Sequence, residues 1–144
     1  MITHEELLNI WEKDAPIDKA NLDTDALAIA KLHHKYLSML LDIKSKKIAY
    51  SHKLEEFKKD KEIYYSGQST SDVYRTKPFD LKLKTKAGID KHVNTDPEIV
   101  SLSKKLEYMD ILIEGLNHIL DQIKWRNSSI KSALDWIRFT SGSL

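Results

Sequence analysis

The clearest pattern in the sequence is a heptad repeat of apolar residues between Pro97 and Gly142. Apolar side chains recur there along two lines, at alternating spacings of three and four residues. The first line consists of Ile99, Leu106, Ile113, Leu120, Asn127 and Leu134. The second line consists of Leu102, Met109, Leu116, Ile123, Ile130 and Ile137. Eleven of these twelve positions are apolar, and a strict repeat of this length predicts coiled-coil or helical-bundle packing of a C-terminal helix over residues 96–141.

Asn127 is the one polar residue in the repeat. It is either a polar core position in one continuous helix or part of a break between two helices, within Trp125-Arg-Asn-Ser-Ser129. Helices of this length in a chain of 144 residues need partners, so we expect the repeat to join copies of the chain into a homo-oligomer. The residues predicted to form that interface are Leu102, Leu106, Met109, Ile113, Leu116, Leu120, Ile123, Ile130, Leu134 and Ile137.

A second helical pattern covers residues 23–67. Asp23-Thr24-Asp25 supplies N-cap chemistry, no proline or glycine occurs between Ala26 and Ser66, and Gly67 is the expected left-handed stop. A helix of this length would be about 60 Å long. Its first half has a continuous apolar stripe, whereas Lys47 and Lys61 lie in the gaps of a thinner stripe in its second half.

The N-terminal segment, residues 1–22, is predicted to be an acidic helix and turn. Thr3-His4-Glu5-Glu6 has the form of a capping box, and Pro16 disfavours helical geometry in the residue before it. The helical period disappears between residues 68 and 95. Leu81, Leu83, Ile89 and Val93 are consistent there with two short strands around residues 86–88, so we predict a basic loop or small β-hairpin. The whole chain is predicted to be one mainly α domain.

Composition restricts the cellular setting and the chemistry. The chain has no cysteine, which excludes disulfides, thiolate nucleophiles and cysteine-ligated zinc and agrees with a reducing compartment. It has no apolar run of the ~20 residues that a membrane span needs and no leader of the signal-peptide type, so we expect a cytoplasmic protein without a membrane partner. Phosphate-cradling glycine loops, zinc-binding helices and glycine-flanked serine nucleophiles are also missing. We therefore predict no enzyme, no catalytic residue, no metal and no cofactor.

Charge is segregated along the chain, although the net charge is only +1. Residues 1–30 carry a net charge of −5, residues 31–92 carry +7 and residues 93–144 carry −1. Such asymmetry indicates an acidic partner for the middle of the chain. Because the lysines there lead into paired tyrosines, single-stranded nucleic acid fits the pattern: phosphates need cations and unstacked bases need flat rings.

The candidate contacts with single-stranded DNA lie in two basic-aromatic segments. At the end of the first long helix they are Lys58, Lys59, Lys61, Tyr64 and Tyr65. In the following loop or hairpin they are Arg75, Lys82, Lys84 and Lys86. Two alternatives stay open for these residues, since lysine faces on long helices are usually only solvated and the tyrosines can form a hydrophobic plug at the helix end.

Three motifs, in order along nearly the whole chain, resemble the UvsY family of phage recombination mediator proteins. The first is Asp14-x-x-Ile17-Asp18, before the long helix. The second, and the most specific, is Lys59-x-Lys61-x-x-Tyr64-Tyr65-Ser66-Gly67. The third is Ile123-Lys124-x-Arg126-x-x-x-Ile130-Lys131, followed by Trp136, Phe139 and Gly142.

The resemblance implies a non-enzymatic, ring-forming homo-hexamer or heptamer that acts in the cytoplasm of the infected bacterial host. It implies binding to single-stranded DNA and loading of a RecA-like recombinase of the UvsX type onto strand covered by single-stranded-DNA-binding protein. It further implies DNA contact at Lys59 and Lys61, and oligomerisation through the C-terminal helix. The alternative is a structural or scaffolding coiled-coil homo-oligomer with no DNA role.

Overall fold

The computed structural model describes residues 1–79, 81 and 83–142, and within these ranges the chain forms helices and no strand. The order of helices is α1 (His4–Asp14), α2 (Leu22–Leu27), α3 (Ile29–Tyr65), α4 (Ser71–Thr76), α5 (Lys86–Thr95), α6 (Pro97–Lys124) and α7 (Arg126–Ser141). The mainly helical fold is therefore confirmed. The capping box of α1 is also present, because the Thr3 hydroxyl accepts from the Glu6 N–H at 3.2 Å and Glu6 Oε2 accepts from the Thr3 N–H at 2.8 Å.

The chain divides into two compact units. One, here called the central unit, consists of residues 46–109. The other, here called the terminal unit, consists of residues 1–45 together with the chain from residue 110 onward. The long helices α3 and α6 each contribute residues to both units.

The terminal unit buries apolar residues from α1, α3, α6 and α7. They are Leu7, Tyr36, Leu40, Ile43, Leu112, Leu116, Ile119, Ile123 and Ile130. The ring of Trp11 meets the ring of Tyr36 edge to face, with centroids 5.5 Å apart. The guanidinium of Arg126 donates to the carbonyl oxygens of Ala15 at 2.9 Å and Pro16 at 3.1 Å. Arg126 thus satisfies acceptors just beyond the end of α1, which is why a charged residue is buried here.

The residues that the structure buries on α6 and α7 differ in part from the two lines of the predicted heptad repeat. The most buried stripe on α6 and α7 consists of Met109, Leu112, Leu116, Ile119, Ile123, Arg126 and Ile130. It includes Met109, Leu116, Ile123 and Ile130 of the second predicted line, but Leu112, Ile119 and Arg126 take the place of Ile113, Leu120 and Asn127 of the first line. Ile99, also of the first line, is buried in the central unit. Met109, Leu116, Ile123 and Ile130 are buried within a single chain, so they present no surface to a second copy.

The helix break around Asn127 is confirmed. α6 ends at Lys124, Trp125 has φ −89° and ψ −2°, and α7 begins at Arg126. Asn127 itself is exposed and is not a core position. The long helix predicted from residue 23 is likewise two elements, since Ala28 separates the short α2 from α3.

In the central unit, Leu54, Val93 and Ile99 form a buried cluster. The partly buried side chains packed against it are Phe57, Tyr65, Ile89, Leu102 and Leu106. The predicted hairpin is wrong, because Ile89 and Val93 belong to α5, where a spacing of four places both on one face. The Thr85 hydroxyl accepts from the Gly88 N–H at 3.2 Å and caps this helix. Among the other predicted hairpin residues, Leu83 lies in non-helical chain before α5, and Lys82 is outside the described residues.

Candidate nucleic-acid interface

The predicted tyrosine pair lies in an aromatic cluster at the end of α3. The ring of Tyr64 stacks on that of Tyr74, with centroids 5.5 Å apart and planes 21° apart. Phe79 packs against both Tyr64 and Tyr65, with centroids at 5.5 and 4.9 Å. The Tyr64 hydroxyl donates to the Lys77 carbonyl at 2.8 Å, and the Tyr74 hydroxyl donates to the Tyr64 carbonyl at 2.7 Å. These contacts hold α4 and the chain after it against the last turn of α3, as expected for a helix-end plug.

A charged network beside this cluster joins the end of α3 to the start of α6. The Tyr65 hydroxyl donates to Asp96 Oδ2 at 2.6 Å, and the Glu98 N–H donates to Asp96 Oδ1 at 2.9 Å. Lys61 Nζ lies 3.3 Å from Asp96 Oδ2 and 3.1 Å from Glu98 Oε2. Asp96 is only 5% exposed, so its charge is stabilised by these donors in place of water.

Two opposing effects set the pKa values of Asp96 and Lys61: burial disfavours the charged form of each group, and the partners of each group stabilise that form. Burial raises the pKa of the Asp96 carboxyl, but donation from Tyr65 and the Glu98 N–H, with the Lys61 charge, outweighs burial and leaves that pKa below its usual value. Burial and the bond to Asp96 both raise the pKa of the Tyr65 hydroxyl. Burial lowers the pKa of Lys61, but Glu98 and Asp96 outweigh it, so the net shift is upward. Lys61 therefore stays charged, with its charge directed at two carboxylates.

The other predicted cations differ in how available they are. Lys59, Lys84 and Lys86 are exposed and make no ion pair with any described residue. Lys58 lies 3.5 Å from Glu55, and Arg75 lies 3.6 Å from Asp72, both as pairs three residues apart on a helix. Such exposed pairs are weak and exchange readily with other anions.

Lys77 is a basic residue that sequence reasoning did not select. Its side chain is 69% exposed and its Nζ lies 4.0 Å from Glu98 Oε1, so Glu98 bridges Lys61 and Lys77. These three residues line an open pocket of about 510 Å³, together with Phe57 and Tyr64. In sequence it is one of several basic residues in the segment 68–95, and no local pattern indicated that this segment returns to the end of α3.

The residues predicted to mediate oligomerisation fall into three groups. Met109, Leu116, Ile123 and Ile130 are core residues of a single chain. Leu102, Leu106, Ile113 and Leu120 are partly buried. Leu134 and Ile137 on α7 are 38% and 36% exposed. Larger apolar side chains that the prediction omitted, Trp136 and Phe139, are 62% and 69% exposed on the same helix.

Charge is divided between the two units. The central unit carries fourteen Lys and Arg against ten Asp and Glu, a net charge of +4, and the rest of the chain carries −3. In the part of the chain that the structure describes, no cluster of His, Asp or Glu has the geometry of a metal site, and no helix is long and apolar enough to cross a membrane. Fold and site thus define a helical protein with a basic unit suited to a polyanion.

Comparison with known proteins gives the family. The family model described as "Recombination, repair and ssDNA binding protein UvsY" matches residues 10–143, and the chain belongs to this family of phage recombination mediators. The chain is 26% identical over 138 residues to the recombination protein uvsY of Enterobacteria phage T4, covering 96% of this chain and 97% of that protein.

The fold agrees with that assignment. A crystal structure of the bacteriophage T4 recombination mediator protein UvsY aligns with a TM-score of 0.83 at 25% identity, covering 98% of this chain and 99% of the other. A second crystal form aligns with a TM-score of 0.82 at 25% identity, covering 94% and 98% of the two chains.

Proposed function

We propose that this protein is a recombination mediator that binds single-stranded DNA. It loads a RecA-like recombinase of the UvsX type onto strand covered by single-stranded-DNA-binding protein, in homologous recombination, repair and recombination-dependent replication. The observation that carries the proposal is the net charge of +4 on the central unit, where Lys59, Lys84 and Lys86 are exposed without ion-pair partners among the described residues. Membership of the family supports the same conclusion.

The mechanism we propose relies on binding free energy alone. A strand that neutralises lysines releases counterions, and this term depends steeply on salt. A few contacts give only weak binding per chain, so several copies must act on one strand for the affinity to be useful. The assembly then holds an extended strand, weakens the grip of the covering protein and presents the strand to the recombinase. This activity would take place in the cytoplasm of the infected bacterial host.

Assembly into a ring-forming homo-hexamer or heptamer is part of the proposal. Trp136 and Phe139 lie with ring centroids 5.9 Å apart and are both exposed, and adjacent exposed aromatic side chains are typical of protein interfaces. Changing Trp136 and Phe139 to Asp is expected to reduce the mass measured by light scattering to that of one chain. Leu41→Asp on α3, where the side chain is 56% exposed, is the control for adding charge to an exposed apolar site. An unchanged mass in the α7 variant would contradict this interface.

Two measurements test the function. The first is a titration of a fluorescein-labelled single-stranded oligonucleotide at several salt concentrations, where we expect tight binding at low salt that weakens steeply as salt rises. The second is the DNA-dependent ATPase activity of a RecA-like recombinase on strand covered by single-stranded-DNA-binding protein, which the protein is expected to restore. The absence of DNA binding at low salt would favour the scaffolding alternative.

A further inference from the structure

Glu98 occupies the position of an anion between two lysines of the central unit. Its Oε2 atom lies 3.1 Å from Lys61 Nζ, and its Oε1 atom lies 4.0 Å from Lys77 Nζ. The two oxygens of a carboxylate resemble the two non-bridging oxygens of a phosphodiester in charge and in acceptor geometry. The pair of lysines is therefore arranged as a phosphate-binding site that already holds an anion from the same chain.

The two acids that contact Lys61 differ in how firmly they are held. The Asp96 side chain is 6% exposed and is fixed by the Tyr65 hydroxyl and the Glu98 N–H. The Glu98 side chain is 52% exposed, and among the described residues its carboxylate forms ion pairs only with the two lysines. Releasing the Glu98 carboxylate into water requires only rotation of its side chain and leaves Asp96 in place. Lys61 thus has one permanent partner and one exchangeable partner.

We propose that Lys61 and Lys77 form a phosphodiester-binding subsite that the Glu98 carboxylate occupies in the free protein and leaves when single-stranded DNA binds. This inference rests on the proposed function and adds to it a built-in competitor for the DNA phosphate. Each strand phosphate that enters the subsite must displace the Glu98 carboxylate, which is part of the same chain. The subsite is therefore expected to bind small anions weakly. A strand held by further contacts overcomes this competition because its phosphates are present at high effective concentration.

The consequence is that removing the Glu98 charge strengthens DNA binding. Glu98→Gln keeps the size of the side chain but removes the competing carboxylate from both ammonium groups, while Lys61 keeps its contact with Asp96. Lys77→Gln is expected to weaken DNA binding, and the loss of affinity depends on whether Glu98 is present. While Glu98 masks Lys77, little binding is lost, whereas in the Glu98→Gln background the full contact is lost. The two substitutions are thus expected to be non-additive.

The test is a titration of a fluorescein-labelled single-stranded oligonucleotide by five full-length proteins at several salt concentrations. They are the wild type, Glu98→Gln, Glu107→Gln, Lys77→Gln and the double variant Glu98→Gln with Lys77→Gln. Glu107 is an exposed acid on α6 in the same unit, about two and a half helical turns from Glu98, with no ion pair among the described residues. It is the matched control, because it changes the net charge equally.

We expect Glu98→Gln to bind more tightly than Glu107→Gln, with a logarithmic salt slope steeper by about 0.7 for one additional phosphate. This corresponds to about fivefold in affinity per tenfold reduction in salt. Lys77→Gln should remove most of the gain in the double variant. Equal binding by Glu98→Gln and Glu107→Gln, beside clear binding by the wild type, would overturn the subsite and leave the proposed function intact. No binding by any of the five proteins at low salt would overturn both.

Discussion

The hydroxyl of Tyr65 donates a 2.6 Å hydrogen bond to Oδ2 of Asp96, a residue 31 positions further along the chain. This bond joins the last residue of α3 to the residue that precedes α6. A hydrogen bond to a charged acceptor contributes about 1.5–3 kcal/mol, roughly twice the value of a bond between neutral groups. The adjacent Tyr64 hydroxyl donates to a neutral backbone carbonyl, that of Lys77.

These two bonds predict different effects for the same chemical change. Tyr65→Phe is expected to lower the free energy of unfolding by about 1.5–3 kcal/mol, because the buried Asp96 loses a donor. Tyr64→Phe is expected to lower it by about 0.5–1.5 kcal/mol. Urea unfolding followed by circular dichroism measures both. Equal losses in the two variants would show that the Tyr65 bond has no special weight.

Asp96 is also expected to make stability depend on pH. The network holds the pKa of its carboxyl below the usual value near 3.8, so the folded protein binds a proton there less readily than the unfolded chain does. The stabilisation is therefore complete above the unfolded pKa and is lost as pH falls through the folded pKa. The difference in unfolding free energy between the wild type and Asp96→Asn should be constant near neutral pH and shrink below about pH 4.

The stability measured at acid pH includes contributions from Asp14 and Asp18, because the pKa values of these two carboxyl groups are also lowered. Their contribution is common to the wild type and Asp96→Asn and cancels in the difference between them. Urea midpoints for both proteins between pH 3 and pH 7 provide that difference. A difference that stayed constant throughout this range would mean that Asp96 titrates alike in the folded and unfolded chain.

Sequence periodicity predicted the long helices but missed α4 and α5, and it did not indicate which face of α6 is buried. Leu112 and Ile119 are apolar and follow the same three-four spacing against the second predicted line, so two adjacent stripes were compatible with the pattern. Only burial among the other apolar residues of the terminal unit, such as Tyr36 and Leu40, selects one of them. Because Leu116 is 0% exposed within one chain, Leu116→Asp should unfold the chain rather than dissociate an oligomer.

The candidate site was less predictable because the residues that pair with one another in it are distant in sequence. Local composition selected Lys61 as a basic residue, but Asp96 and Glu98, which pair with it, lie in the next long helix and its cap. The hairpin was wrong for a local reason. Thr85 and Gly88 form an N-cap, and that signal is weaker in sequence than the glycine that suggested a turn.

Arg126 provides a further prediction, on the terminal unit. Its two donors reach the carbonyls of Ala15 and Pro16, and a lysine cannot reproduce that fork. Arg126→Lys is therefore expected to lower the free energy of unfolding by about 1–3 kcal/mol despite keeping the charge. Arg138→Lys, at an exposed site on α7, is the matched control and should change it by less than about 0.5 kcal/mol. Urea unfolding that gave the same midpoint for both variants would contradict the capping role.

The last prediction separates Lys59 from Lys61. Residues two apart on a helix point about 200° from each other, so these lysines lie on nearly opposite sides of α3. Lys59 is exposed without an ion-pair partner among the described residues, whereas the Lys61 side chain is only 18% exposed and pairs with Asp96 and Glu98. Changing both residues together would combine two different effects.

Lys59→Gln should weaken binding to single-stranded DNA and flatten the logarithmic salt slope by about 0.7, with an unchanged urea midpoint. Lys61→Gln should lower the free energy of unfolding by about 1–3 kcal/mol, because it removes the cation beside the buried Asp96. Oligonucleotide titrations and urea unfolding of both variants provide the comparison. If Lys59→Gln destabilised the fold while Lys61→Gln did not, the structural roles of these two lysines in the central unit would be reversed.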